Sequence, residues 1–444
     1  MSDLENPEVP TMRRPWKRRL AAAALAAAAA CGIAACGAAE SGPPRLTWYI
    51  NPDSGGQAEI ARRCTEAAGG RYSIAVAQLP RESAAQREQL VRRLAANDSS
   101  IDIMSLDPPY IPEFSEAKLL APVPPDLADR VTQGVVESAV TGASWRGRLV
   151  TVPFWANTQL LWYRRSMVAG TGLDLSQPVT WDQLIEATQA KGSQFAVQGK
   201  RAEALTVWLN ALVSSAGGAI ITDPSVDDPA GVRLGLADPP ATEAGRVMKE
   251  LTDAGIGGPS LSTAGEDANV ASFEKGEAIL MINWPFVWPR ANESAAEGTL
   301  GAEVPGDYGW ALYPRLRPDL PSAPPYGGIN LGVGAFSRHP DLAYEATECI
   351  TSAANQTYYF VENGNPAARE SVYGDPAVLQ AFPMAPVILQ SLRQAAPRPQ
   401  TAYYSEVSQS VQREYHPTSG IDPAATGAAT AALIQEVLAK KELL

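Results

Sequence analysis

Between residues 46 and 106 the chain alternates three runs of strand length with two runs of helical period, and this alternation restricts the fold more than any other feature. Residues 46–50 (LTWYI), 72–78 and 101–106 (IDIMSL) are apolar or alternating, and turn residues stop the first and last of them at 51–55 (NPDSG) and 107–109 (DPP). The intervening segments, 57–68 and 83–96, read as helices; in the second, Leu90, Val91 and Leu94 fall on one face. Strand, helix, strand, helix, strand predicts an α/β sheet whose crossovers favour parallel pairing. Ligands of such sheets bind beyond the carboxyl ends of the strands. Asp53 and Asp107 each stand just past a strand, so both are expected on one rim.

The length of 444 residues suits two or three domains, or one large two-lobed fold. A hydrophobic content of 45% is that of a folded chain. The formal charge of −12 lacks the basic footprint that nucleic acid requires. Two His and four Cys leave little material for a His/Cys metal cluster, and no metal or cofactor is expected. A Ser-His-Asp hydrolase would have to take its base from His339 or His416.

Residues 1–35 read as an export address, a signal peptide with a lipobox. Arg13, Arg14, Lys17, Arg18 and Arg19 form a basic start, and an apolar run of 16 residues follows at 20–35, short and Ala-rich for a membrane span. The run ends Ile33-Ala34-Ala35-Cys36: a branched residue, two small ones, then cysteine. In a bacterial lipobox that thiol receives a diacylglyceryl group and cleavage leaves the cysteine as N-terminus, so Cys36 is the expected lipidation site. Cys31 is a poorer candidate, because Ala28 stands where the large residue is needed. A plain secretory signal is the alternative. Residues 36–44 make a lipid-anchored tether of mostly small residues. An exported chain with two remaining cysteines, Cys64 and Cys349, is expected to join them in one disulfide.

Further along, residues 148–154 and 159–164 read as strands joined by Trp155-Ala156-Asn157, as at a hinge crossing. Thr180 is placed to cap a helix. Residues 202–215 are helical, as are 271–275; a strand at 278–282 leads into Asn283-Trp284-Pro285-Phe286-Val287-Trp288. A Gly-rich run spans 326–333, a helix 339–353, and the tail from 377 is mostly helical, with Arg398 between Pro397 and Pro399.

Six segments, 101–123, 152–163, 180–184, 273–288, 327–333 and 397–408, together resemble the family-1 extracellular solute-binding proteins of the maltose/trehalose-binding type, in order and over nearly the whole chain after the export signal. These proteins serve ATP-binding-cassette importers. Within the family, the chain is similar to the trehalose-binding lipoproteins of mycobacteria. The resemblance implies an α/β, two-lobed, periplasmic-binding-protein-like fold (type II), with three hinge crossings and a ligand cleft between lobes that close by hinge bending. It places the crossings near Asn157, near Gly327-Gly328 and near Ala368-Arg369. Lobe one is then 45–156 plus 328–370, and lobe two 158–326 plus 371–444. Both Cys64 and Cys349 fall in lobe one.

A sugar presents hydroxyl pairs, which carboxylates and amides bind, and flat apolar faces, which aromatic rings cover. The resemblance puts Asp107 at the position of a sugar-contacting carboxylate, although Asp before Pro-Pro is also a common turn residue. Asn157 stands at the hinge contact, with a turn amide as the plainer reading. Trp284 and Phe286 match the aromatic platform, with Pro285 interrupting the strand; Trp288 reads as core. Glu266, or its neighbour Asp267, matches an acid placed against the second sugar from a polar loop. Gly327 and Gly328 permit close backbone approach. Arg398 matches an arginine that reaches the cleft; Arg413 competes but sits on an apparent solvated helix face. Asp53 and Asn51 are weaker rim candidates, with turn geometry as the leading explanation.

These readings together imply a lipid-anchored binding protein on the outer face of the cell membrane, not an enzyme. It is expected to be a monomer that captures a disaccharide, trehalose in preference, and hands it to a permease pair driven by a separate ATPase. The chain itself carries no GxxxxGK[ST] phosphate loop. Maltose or another α-glucoside is the near alternative. An exported glycosidase is the alternative of another class; it needs two carboxylates roughly 5–9.5 Å apart about one bond.

Overall fold

A computed structural model describes residues 42–224 and 228–444. The expected export signal, Cys31 and the lipidation candidate Cys36 lie outside the described residues. Residues Arg45–Leu444 form one compact unit. Its strands are β1 (Arg45–Ile50), β2 (Ser73–Gln78), β3 (Ile103–Leu106), β4 (Ser144–Trp145), β5 (Arg148–Leu149), β6 (Val152–Thr158), β7 (Leu160–Arg164), β8 (Gln194–Ala196), β9 (Ala278–Asn283), β10 (Tyr308–Ala311) and β11 (Tyr326–Val333). Among the described residues they make a sheet in the order β2-β1-β3-β11-β6, another in the order β10-β7-β9-β8, and a small β4-β5 hairpin.

The alternation seen in the sequence becomes β1, helix α1 (Gly56–Ala67), β2, helix α2 (Ser83–Ala95) and β3, with β1 parallel to both β2 and β3. Side chains of a strand point alternately to its two faces. Leu46, Trp48 and Ile50 accordingly enter one hydrophobic cluster, with Val152, Phe154, Leu331 and Val333, while Tyr49 enters another with Met104, Leu90 and Leu94. The second sheet divides in the same way: Leu161, Leu280 and Ile282 face one cluster, Leu160, Trp162 and Met281 the other. Helix α3 (Glu203–Ser215) covers the first of these faces with Leu205, Trp208, Leu209 and Leu212.

Thr180 caps its helix in a reciprocal capping box with Gln183. The expected strand at 148–154 is divided. Leu149 ends the hairpin, whose turn uses the left-handed residues Arg146 and Gly147, and a new strand starts at Val152. Trp155-Ala156-Asn157 is not the link between strands; β6 runs through it to Thr158, because β11 pairs with it rung by rung, and Gln159 alone separates β6 from β7. At that residue the chain passes from the first sheet to the second. Cys64 of α1 and Cys349 of α5 (Pro340–Ile350), where α4 is Glu266–Glu274, form a disulfide with Cα atoms 5.8 Å apart. Among the described residues no helix is long and apolar enough to cross a membrane.

Candidate functional site

The register of the first sheet brings separated residues to one edge. Tyr49 pairs with Met104, Leu106 with Asn330, Asn330 with Pro153, and Ile329 with Trp155. Asn51, two residues past Tyr49, and Asp107, one past Leu106, therefore border the same carboxyl edge as Trp155. Beyond it β6 and β11 continue as a two-stranded ribbon, Gly328 opposite Ala156 and Gly327 opposite Asn157. Gly328 has φ +116°, and a Cβ there would stand 2.3 Å from the Trp155 carbonyl oxygen, so glycine alone suits this position.

Asp107 is held between two partners. The hydroxyl of Ser83 donates to its Oδ2 at 2.6 Å, and Arg398 donates through Nη1 at 3.2 Å to the same oxygen and through Nη2 to Oδ1. A carboxylate has about four acceptor positions; these bonds occupy three. Arg398 also donates through Nη1 to Glu203 Oε1 at 2.6 Å, and only 5% of its side chain is exposed. Burial works against its charge, but Asp107 and Glu203 overcome that penalty and hold the guanidinium protonated well above its ordinary range. The flanking prolines restrict the Arg398 backbone, and Asn210 Nδ2 donates to the Pro397 carbonyl at 3.0 Å.

The second group forms where β9 ends. Buried Asn283 accepts from the Trp284 backbone N–H at 2.9 Å and donates to the Glu266 carbonyl at 3.2 Å, fixing both residues. The Trp284 indole N–H then donates to Glu266 Oε1 at 2.7 Å. Glu266 opens α4 behind Gly265 rather than lying in a loop before a later helix, which suits an acid at a helix N-terminus. Its side chain faces water, yet neighbouring protein groups crowd it. That crowding pushes its carboxyl up to about 7; the Trp284 bond opposes the shift, and Glu203, Asp267 and Glu82 add to it. At its far edge the Trp284 ring reaches Gly327, where a Cβ would come within 3.0 Å of two ring carbons.

The structure thus joins Asp107 with Ser83, Arg398 and Glu203, and Glu266 with Trp284 and Gly327, and the charge of Glu203 adds to the upward shift of Glu266. Asn157 lies on the ribbon, its Oδ1 accepting from the Thr158 N–H at 2.9 Å. Phe286 is half-buried against the hydrophobic cluster containing Val287 and Ala291. Asp53 spends both oxygens on the turn into α1, accepting from Gly55 N–H at 3.0 Å and Gln57 N–H at 2.7 Å. Asp267 pairs with Arg290 at 2.9 Å and Arg81 at 3.5 Å. Arg413 pairs with Glu442 on the surface, and Trp288 donates to the Ala381 carbonyl at 2.8 Å.

Sequence reasoning did not single out Glu203, Tyr404, Asn283 or Trp155. Glu203 reads as an ordinary acid of a first helical turn, and Tyr404 as one tyrosine of a helical tail. Asn51 Oδ1 and Trp155 Nε1 are buried with no partner in the protein; a tryptophan beside Ala156 and Asn157 on a crossing strand was the available signal. A recess of about 470 Å³ lined by Gln189, Gln194, Gly255 and Glu277 contains none of these residues.

Residues 74–357 match the family described as bacterial extracellular solute-binding protein. The chain is 26% identical over 352 residues to a probable ABC transporter-binding protein of Deinococcus radiodurans, covering 76% of this chain and 79% of that protein. It is 24% identical over 330 residues to a mannitol-binding protein of Pseudomonas aeruginosa, covering 70% of each. Among solved structures it is similar to maltose-bound T. maritima MalE3, at a TM-score of 0.73 and 26% identity over 89% of this chain and 99% of that one. A cyclo/maltodextrin-binding protein shows the same fold at a TM-score of 0.71 and 18% identity, over 91% of this chain and 100% of that one. The chain thus belongs to the bacterial extracellular solute-binding proteins, a family of non-enzymatic transport components with this α/β periplasmic-binding-protein fold.

Proposed function

We propose that this chain is the sugar-capturing subunit of an ATP-binding-cassette importer, anchored outside the cell by lipid on Cys36, and that its ligand is trehalose. The observation that carries the sugar reading is Trp284, whose ring reaches Gly327 by its far edge while its N–H is fixed by Glu266. An aromatic face beside a carboxylate matches a pyranose, apolar on its face and hydroxylated at its edge. Asp107 retains one acceptor position for a hydroxyl, and Asn51 Oδ1 and Trp155 Nε1 supply an acceptor and a donor on the same rim. Each sheet with its helices forms one lobe, the chain crossing near 157, 327–328 and 368–369, and the sugar lies between. Trehalose is preferred because the segments noted above resemble trehalose-binding lipoproteins.

Maltose is the second reading, supported by the likeness to maltose-bound MalE3. A glycosidase is disfavoured because the family to which the chain belongs is one of non-enzymatic transport components, and because Asp107 already spends three acceptor positions on Ser83 and Arg398. Calorimetric titration with trehalose, maltose and glucose tests the assignment: trehalose should bind most tightly and remain intact. Micromolar maltose binding without trehalose binding would replace the ligand; release of glucose would replace the class.

A further inference from the structure

We propose that Glu203 is a positioning residue that aims Arg398 and Tyr404 across the cleft, making them a latch that holds the two sheets' units together before sugar arrives. The proposal rests on the two-lobed binding reading and adds to it a residue whose action is indirect.

Three observations carry it. Glu203 belongs to α3, which packs on the second sheet. Its Oε1 accepts from Arg398 at 2.6 Å and from the Tyr404 hydroxyl. Burial, and then the charge of Glu203, push Tyr404 well above the usual tyrosine range, so it keeps the proton it donates. Asn210, seven residues on and so on the same helical face, fastens the Pro397 carbonyl at 3.0 Å. The base of the latch is thus α3 alone.

Both aimed side chains end in the other unit. Arg398 grips Asp107 at the end of β3 with two donors. Tyr404 begins helix α6 (Tyr404–Glu414), where Val407 and Val411 pack with the second sheet's cluster. Its ring instead lies in the first sheet's cluster with Met104, Leu106 and Phe114, edge-on to Tyr110 at 5.4 Å. A further cross-connection, Arg81 to Asp267, is 80% and 61% exposed, so solvent screens it and it adds little. Arg398 is 5% exposed and less screened. A conformation held partly closed raises apparent affinity in proportion to the population competent to bind.

Small-angle X-ray scattering of the ligand-free protein, with calorimetry against trehalose and maltose, tests this for Glu203→Ala, Glu203→Gln and Tyr404→Phe. The expected result is a larger radius of gyration without ligand and at least tenfold weaker sugar binding in Glu203→Ala, with smaller changes in the same direction in the others. In an Arg398→Ala background, Glu203→Ala should weaken binding little further, since it acts through that side chain. Should Glu203→Ala not fold, as judged by circular dichroism, the other two variants carry the test. A wild-type protein that binds sugar, with variants unchanged in both compactness and affinity, overturns the latch. Expansion of the variants of a protein that binds neither sugar keeps the latch and rejects the ligand.

Discussion

The Trp284 indole N–H donates to Glu266 Oε1 at 2.7 Å, joining the residue after β9 to the first residue of α4. The ring that would carry a sugar face is thereby oriented by a group whose charge changes near neutrality. Glu266 is raised by crowding from 4.5 to about 7, with Glu203, Asp267 and Glu82 reinforcing the shift. The folded state therefore binds the proton more tightly than the unfolded one. The contribution of this group to stability is full below about 4.5 and lost as pH rises through about 7.

Relative to Glu266→Gln, the wild-type protein should lose stability between those pH values, and its tryptophan fluorescence should titrate with a midpoint near 7 that the variant lacks. Urea unfolding and fluorescence across pH 4 to 9 measure both. Identical curves for the two proteins would mean that Glu266 does not titrate there.

Asp107→Asn removes one of the two charges that neutralise Arg398, leaving a cation 5% exposed with Glu203 as its remaining ion-pair partner. Breaking one side of a buried pair costs about 3–5 kcal/mol when no other partner remains. With Glu203 still in place, we expect a loss of about 2 kcal/mol in urea unfolding, together with weaker sugar binding. Unchanged stability would show that the pair is not maintained in solution.

Gly327 and Gly328 should separate under substitution. Gly328→Ala places a Cβ 2.3 Å from a backbone oxygen at φ +116° and should cost more than about 1 kcal/mol in thermal unfolding. Gly327→Ala presses on the Trp284 ring at 3.0 Å, which can yield, so sugar affinity should fall while stability changes little. Equal effects of the two on stability would contradict this division.

Most of the first sheet was legible in the sequence because its strands alternate with amphipathic helices, and the capping of Thr180 was legible because a capping box is local. The division at Leu149 was not, since the hairpin depends on left-handed Arg146 and Gly147 rather than on hydrophobic pattern. Trp155-Ala156-Asn157 read as a link because the partner that keeps it extended, β11, lies far along the chain. The same reason hides Glu203: its partners Arg398 and Tyr404 are 195 and 201 positions away. Asp107 and Trp284 stood out by their place after strands, but only the fold shows that Arg398 already holds one and Glu266 the other.

Cys64 and Cys349 close a loop with a sequence separation of 285 between α1 and α5. Replacing both by serine should lower stability by about 2–5 kcal/mol, read as a reduced denaturant midpoint that added reductant does not lower further. A wild-type midpoint insensitive to complete reduction, verified by thiol counting, would contradict a structural role for the bond.

Calorimetric titration of the purified protein with trehalose, beside the Trp284→Ala variant, addresses the claim on which the site depends: a neutral disaccharide is grasped by Trp284 and the groups around it. The expected result is saturable one-to-one binding by the wild-type protein, with trehalose recovered unchanged and affinity reduced at least tenfold in the variant. Binding of equal strength in both proteins would place the sugar elsewhere, and heat of dilution alone from trehalose and maltose in the wild-type protein would contradict the claim.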